Sequence, residues 1–238
     1  LGVLDIGSNT IHMLIVDAAP GARPDPEAST KSTVRLMQYV KDDGSIKKSG
    51  IEAILTAVDQ CMELAEEYDI TQLLAMATSA IKEAPNSNKI LRKIEERIGQ
   101  SVTVLSGTDE ARLTFLAADA FPKSKHPAHA VGTSKMFRSL ARLAGAVLRQ
   151  SGREDTWIMT REQLEDWIPR LAAIEPEQRV ALPGITPERT MQIVGGGIVA
   201  DEIMRSLNVH EVEICPWALR EGAILRWLDQ FGRTRLGF

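Results

Sequence analysis

The segment Gly2-Val3-Leu4-Asp5-Ile6-Gly7-Ser8-Asn9-Thr10, continued by Ile11-His12-Met13-Leu14-Ile15-Val16-Asp17, constrains this chain more than any other. Two apolar runs, each too short for a helix, flank a small polar turn, and this pattern predicts two tightly joined β-strands. The turn offers one carboxylate (Asp5), a glycine free to take positive φ (Gly7), and the small polar side chains of Ser8, Asn9 and Thr10. Backbone N–H groups and hydroxyls in such a loop can close around a phosphate. No Gly-Lys-Ser/Thr follows, so it is not a Walker loop, and no Gly-x-Gly-x-x-Gly is present to make it a dinucleotide fingerprint. Standing alone, the segment would more simply be an ordinary hairpin turn. The rest of the chain decides between the two readings.

Beyond the turn, strands and helices alternate. Residues 17–32 read as an exposed loop and 34–40 as a third strand. Ser49 is expected to cap a helix from about 51 to 68, whose apolar residues Ile51, Ile54, Leu55, Val58, Met62 and Ala65 fall at helical spacing. Strands are predicted at 73–78 and 102–105, with helices at 88–99 and from 109. In the second half, Ser134 to about 150 reads as one helix with Lys135, Arg138, Arg142 and Arg149 on its polar side. Thr160 caps a helix to 173, Gly195-Gly196-Gly197 is expected to interrupt a strand or buried helix near 191–194, and 200–207 is helical. A short strand at 211–215 precedes a last helix at 217–231, with Pro216 in its first turn. The fold class is therefore α/β.

A chain of 238 residues can bury a sizeable core in one large domain or two small ones. Its hydrophobic and charged content are those of a soluble globular protein. No apolar run approaches the roughly 20 residues that span a bilayer, which argues against a membrane partner. The net charge of −4 argues against general nucleic-acid binding, so a polyanion would need a local basic surface. Cys61 and Cys215 make no disulfide framework, and a reducing cytoplasm is the simplest location.

Three further segments bear on the first loop. Ala77-Thr78-Ser79-Ala80 follows a strand with small hydroxyl side chains. Leu105-Ser106-Gly107-Thr108-Asp109-Glu110-Ala111-Arg112 brings carboxylates to a strand-to-helix junction. Ile214-Cys215-Pro216-Trp217-Ala218-Leu219-Arg220-Glu221-Gly222 opens the last helix. With the Asp-Ile-Gly-Ser-Asn-Thr turn, these four in order resemble the exopolyphosphatase / guanosine pentaphosphate phosphatase family, part of the superfamily of actin, heat-shock ATPases and sugar kinases. The resemblance covers nearly the whole chain.

The resemblance implies an α/β fold of two actin-like (ribonuclease H-like) domains with a cleft between them, here 1–112 and 113–238, the last helix packing back on the first domain. It implies removal of the terminal phosphate from inorganic polyphosphate, with guanosine pentaphosphate as the alternative substrate and Mg²⁺ as cofactor. Asp5, Gly7, Ser8 and Asn9 match the first phosphate loop, Thr78 and Ser79 the hydroxyl-bearing segment, and Glu110 the catalytic base. Lys82 stands where the family usually has Arg; it keeps the charge on phosphate and loses the bidentate geometry. Asp5 is expected to hold the metal, since Mg²⁺ takes few protein carboxylates and keeps its waters. Lys135, Arg138 and Arg142 are candidates for contacting the polyanion, with a solvated helix face as the competing reading. The partners expected are thus polyphosphate or guanosine pentaphosphate and, in assembly, a homodimer. From a different class come a sugar or small-acid kinase, which needs an adenosine pocket and a second phosphate loop not visible here, and an inactive polyphosphate- or alarmone-binding regulator.

One departure stands out. The family has a second, glycine-rich phosphate loop soon after the helix of Glu110, and here the chain passes instead into Ala117-Ala118-Asp119-Ala120-Phe121-Pro122-Lys123. Either the protein lacks the loop, or the sequence closes over residues left out of it between 116 and 124. The second is favoured, because losing two central strands would expose a sheet edge.

Overall fold

Along β1 (Gly2–Ile6), Leu4 and Ile6 point to one face of a sheet while Val3 and Asp5 point to the other, as strand alternation requires. The computed structural model describes residues 1–19, 23–121, 130–151 and 154–236, with side chains described except at 79–80, 147–151, 154–156 and 231–236. It contains two compact units, Leu1–Leu116 with Leu219–Phe238, and Ala117–Ala218.

In the first unit, β2 (Thr10–Ile15) and β3 (Ala28–Thr33) continue antiparallel from β1, while β4 (Leu73–Ala77) and β5 (Thr103–Val104) extend parallel from its other side. The order is β3-β2-β1-β4-β5. Two apolar layers cover this sheet. Leu4 and Ile6 pack with Ile54 and Val58 of α1 (Lys48–Glu67), Ile81 of the single turn α2 (Ser79–Lys82), and Ile90 and Ile94 of α3 (Ser87–Ile98). On the opposite face, Val3, Leu14 and Met76 pack with Leu113 of α4 (Gly107–Ala120) and with Ala223 and Ile224 of the C-terminal helix (Leu219–Leu236). The last helix thus completes the first unit's second layer.

The second unit is built on β6 (Val131–Gly132), β7 (Val147–Ser151), β8 (Glu154–Thr160) and β9 (Glu211–Ile214), in the order β6-β9-β8-β7. Only β6 and β9 run parallel within it. Leu140 of α5 (Lys135–Leu143), Leu164 and Leu171 of α6 (Arg161–Ala173), and Met204 of α7 (Ile193–Ser206) join Met159 and Val212 in its core. The helix expected to be capped by Thr160 is capped there, and Ser134, read from sequence as the first residue of its helix, is the cap of α5. Ser134 Oγ accepts from the Phe137 N–H at 3.1 Å, and Thr160 forms a reciprocal capping box with Gln163. Among the described residues, no helix is long and apolar enough to cross a membrane.

Several elements depart from the sequence expectation. The third strand lies at Ala28–Thr33 and not at 34–40, where Leu36–Tyr39 form a 3-10 turn. Its Ser/Thr alternation carries no apolar signal because it is an edge strand, held by register with β2. Helix α1 starts at Lys48 with no side-chain cap, so Ser49 lies inside it. Helix α5 ends at Leu143, where Gly145 takes φ +69°, and residues 147–151 pair with β8 as a strand. Arg149 therefore does not extend the basic stripe of α5. The glycines 195–197 lie within α7, where a Cβ on Gly196 would stand 2.4 Å from the Met136 sulfur and one on Gly197 3.2 Å from Ile168. They interrupt nothing; Gly196 and Gly197 let α5 and α6 approach closely, and Gly195 has no neighbour within 4 Å. The last helix begins at Leu219, two residues later than expected.

Candidate active site

Gly7-Ser8-Asn9 joins β1 to β2. The Gly7 N–H donates to the Thr10 carbonyl at 3.0 Å and closes the turn. The Ser8 carbonyl accepts the Leu36 N–H at 2.7 Å, and the Asn9 carbonyl accepts those of Val34 and Arg35 at 2.9 and 3.0 Å. Both oxygens are thus tied to the segment after β3, whereas the N–H groups of Ser8 and Asn9 meet no acceptor among the described residues. A loop with its carbonyls turned in and donors left over is arranged for an anion. Gly7 does not take the expected positive φ; the small residue is needed because a Cβ would crowd the Thr10 carbonyl at 3.1 Å. Arg35, which braces the loop, takes the left-handed conformation with φ 53°.

Asp5 lies at the carboxyl end of β1, paired in register with His12 on one side and Met76 on the other. Its Oδ1 is buried and has no hydrogen-bond partner among the described residues. Burial pushes the Asp5 carboxyl above its usual range, the Arg220 guanidinium opposes this, and Glu110 and Glu221 add to the upward push. An orphaned carboxylate oxygen beside further carboxylates suits a hard divalent cation. No cluster of three or more candidate metal-ligating side chains exists among the described residues. A cation on Asp5 would therefore draw most of its oxygen ligands from phosphate and water.

The raised Asp5 pKa has a stability consequence in the metal-free protein. The unfolded carboxyl ionises first as pH rises past 3.8, so the folded state loses stability relative to it up to the higher folded value. Asp5→Asn is expected to raise the metal-free melting temperature at neutral pH, while removing any stabilisation by Mg²⁺. Calorimetry of both proteins with and without Mg²⁺ checks this, and a lower melting temperature for the metal-free variant would contradict it.

Glu110 sits half-buried in the first turn of α4. The neighbouring Asp109 is committed elsewhere: its Oδ2 accepts from the Ser106 N–H at 3.1 Å and Ser106 Oγ at 2.6 Å, and its own N–H donates to Ser106 Oγ. These bonds hold the Asp109 carboxyl below its usual range, and the helix start is capped by that pair. Of the two acids, Glu110 is the one within electrostatic reach of Asp5. The C-terminal helix brings Arg220 and the buried Glu221 to the same carboxylate. Gly222 sets this meeting, because a Cβ there would stand 1.9 Å from the Leu113 carbonyl oxygen of α4.

Thr78 is half-buried, and its N–H donates at 3.2 Å to the Ile6 carbonyl, at the strand end that leads into the loop. The side chain of Ser79 lies outside the described ones. Lys82 is exposed in the last turn of α2 and makes no ion pair among the described residues. The first unit thus gathers Asp5, Gly7, Ser8, Asn9 and Thr78 at the carboxyl ends of β1 and β4, with Glu110 and Arg220 near Asp5. Sequence alone does not decide whether Arg220 and Glu221 form a local pair or serve the site. Their signal was the Arg-Glu-Gly run at the start of the last helix, and its partner, α4, lies more than a hundred positions away in sequence.

Lys135, Arg138 and Arg142 all belong to α5 of the second unit. The Arg138 Nη1 donates to the Pro216 carbonyl at 2.7 Å, so this guanidinium serves an internal contact. Arg138 and Arg142 line a cavity of about 430 Å³ whose other walls include Phe121, Trp157 and Ile214. Lys135 is not among its lining residues. Helix α4 runs unbroken through 116–120, and the remainder of the window where a break was expected, from 122, falls outside the described residues.

Comparison with known proteins gives the family. The Ppx/GppA phosphatase family matches residues 14–128 and 117–231, in two stretches that meet at 117–128, where the second glycine-rich loop is absent from the sequence. Exopolyphosphatase 1 of Mycobacterium tuberculosis is 33% identical over 303 residues, covering 96% of this chain and 88% of the relative. That of Mycobacterium leprae is also 33% identical, covering 96% and 89%. Because 303 aligned positions face a chain of 238 residues, at least 65 positions of the alignment have no counterpart here. An exopolyphosphatase from Cytophaga hutchinsonii superposes with a TM-score of 0.82 at 18% identity, covering 96% of this chain and 97% of its own. The Ppx/GppA family member of Aquifex aeolicus does so with 0.78 at 18% identity, covering 96% and 97%. These neighbours have an actin-like two-domain fold. With the family match spanning most of its length and relatives one-third identical, the chain belongs to the Ppx/GppA phosphatase family.

Proposed function

We propose that this protein is an exopolyphosphatase, which hydrolyses the terminal phosphoanhydride bond of inorganic polyphosphate and releases orthophosphate. The observation that carries the reading is the pairing of two unspent N–H donors, on Ser8 and Asn9, with the orphaned Oδ1 of Asp5 at the adjoining strand end. Polyphosphate is preferred to guanosine pentaphosphate because the one-third-identical relatives are named exopolyphosphatases. Cys61 and Cys215 are both buried and form no disulfide, which suits a reducing cytoplasm.

Hydrolysis of a phosphoanhydride asks the protein for alignment, charge stabilisation and a base. The Ser8 and Asn9 N–H groups and the Thr78 hydroxyl hold oxygens of the terminal phosphates. A Mg²⁺ ion on Asp5, when bound, neutralises charge on the same phosphates. Glu110 takes a proton from the attacking water as its oxygen bonds to the terminal phosphorus. The bridging P–O bond then breaks, and the shortened chain leaves with the bond's electron pair. Arg220 opposes the upward push that burial and the neighbouring carboxylates put on the Asp5 carboxyl.

A second reading rests on the absent glycine-rich loop and the shortfall of at least 65 aligned positions. In it the chain grips polyphosphate through the first loop and turns it over slowly or not at all. One experiment separates the readings: phosphate release from long-chain polyphosphate and from guanosine pentaphosphate, each with and without Mg²⁺, beside direct polyphosphate binding. Mg²⁺-dependent release from polyphosphate supports the enzyme; binding without release supports the sensor. Release from guanosine pentaphosphate alone overturns the substrate assignment.

A further inference from the structure

We infer that His12 is a substrate-binding residue of the candidate site, its imidazole donating a hydrogen bond to an oxygen of the terminal phosphates. The ligand is that of the exopolyphosphatase reading, on which the inference rests. His12 stands opposite Asp5 across the β1–β2 pair. Residues so paired put their side chains on one face of the sheet, with Cβ atoms about 4.5–5.5 Å apart. The core settles which face that is. Val3 and Leu14, the next opposed pair on the same side, pack with Leu113 of α4 and Ile224 of the C-terminal helix, while Ile6 and Ile11 point into the other layer. His12 therefore shares its face with Asp5 and with the two helices that carry Glu110 and Arg220.

Along this face the chain changes character at His12. Leu14 and Val16 belong to the buried apolar layer, whereas Thr10 begins β2 at the loop. His12 is half-buried, yet among the described residues no hydrogen bond or ion pair engages its ring. A neutral imidazole carries one N–H, and an unused donor in such a place costs free energy that an apolar side chain of similar size does not. Its cross-strand neighbours do not use it. Lys31 on β3 is a donor only, and Asp5 on β1 keeps its Oδ1 without a partner.

A phosphate is the group that fits. It brings acceptors to the unused donor, and the Ser8 and Asn9 N–H groups of the adjoining turn are arranged for the same kind of ligand. Mg²⁺ takes oxygen ligands, so the ring is left for phosphate. His12 lies two residues, about 7 Å, back from Thr10 along the strand. The loop and the imidazole thus act on one short stretch of phosphates from two levels, with Asp5 beside the second.

The test compares His12→Leu, which keeps the bulk and removes both ring nitrogens, with His12→Gln, which keeps an N–H donor. Without ligand, the melting temperature of His12→Leu is expected to equal or exceed that of wild type. Its KM for tripolyphosphate should rise about tenfold, the weight of one hydrogen bond to a charged group, with kcat within about threefold. His12→Gln should recover most of that loss. Long-chain polyphosphate should lose the same factor, because the contact lies at the chain end. An unchanged KM in His12→Leu, or a rise that His12→Gln shares in full, overturns the contact and leaves the exopolyphosphatase reading standing. So does a rise that comes with a lower melting temperature, the mark of a packing role. If wild type releases no phosphate, calorimetric titration with tripolyphosphate decides. Weaker binding by His12→Leu with recovery in His12→Gln supports the contact, and equal binding overturns it. A wild-type protein that neither cleaves nor binds tripolyphosphate overturns the inference together with the reading beneath it.

Discussion

Glu110→Gln is expected to lower Mg²⁺-dependent phosphate release from polyphosphate by about 10²- to 10⁴-fold, the usual weight of a general base. The amide keeps the size of the side chain and loses its charge, which acts on Asp5, and its capacity to take a proton. The melting temperature should stay near wild type, because the Ser106–Asp109 pair that caps the α4 start is left intact. Asp109→Asn serves as the contrast: it weakens that cap and should lower stability, with activity largely retained. Steady-state release and calorimetry on the two variants check the division. Full activity in Glu110→Gln would remove Glu110 as the base and direct attention to Glu221.

Gly222→Ala should be the most damaging single methyl group in the molecule. The added Cβ would lie 1.9 Å from the Leu113 carbonyl oxygen, 2.6 Å from its carbonyl carbon and 3.1 Å from its Cα. All three atoms are backbone, so no side chain can turn aside and a whole helix must move. Overpacking of this kind costs about 1–3 kcal/mol and sometimes more, and for a chain of this length each kcal/mol lowers the melting temperature by about 2–4 °C. Activity should fall with stability, since the helices that meet at Gly222 carry Glu110 and Arg220. Gly195→Ala gives the control. A Cβ there has no neighbour within 4 Å, and the exchange inside α7 should stabilise by up to about 1 kcal/mol. Equal melting temperatures for the two variants would show that the close approach at Gly222 is not a constraint.

The elements that local chemistry dictates were legible in the sequence. The strand–turn–strand of residues 2–15 follows from two short apolar runs around small polar residues. The caps at Ser134 and Thr160 follow from hydroxyl side chains placed before helical periodicity, and the stop at Gly99, with φ +71°, from a residue that tolerates the left-handed conformation. Each of these involves partners within a few residues of one another. The family resemblance was legible for the same reason, since its motifs are short and contiguous.

Long-range contacts decided the rest. Ala28–Thr33 is a strand only because β2 offers its edge, and no apolar alternation marks it. Gly196 and Gly197 lie inside a helix where Met136 and Ile168 come close enough to require them, a contact that local sequence does not show. Arg138 looked like a free cation until its guanidinium met the Pro216 carbonyl, 78 residues away. The candidate site itself divides along this line. Asp5, Ser8 and Asn9 announce themselves by sequence, because one turn supplies their chemistry. That Arg220 and Glu221 act on the Asp5 carboxylate is a fact of tertiary structure: it exists because Gly222 lets the last helix settle against the backbone of α4, and side-chain spacing along a chain carries no record of which distant surface a glycine will touch.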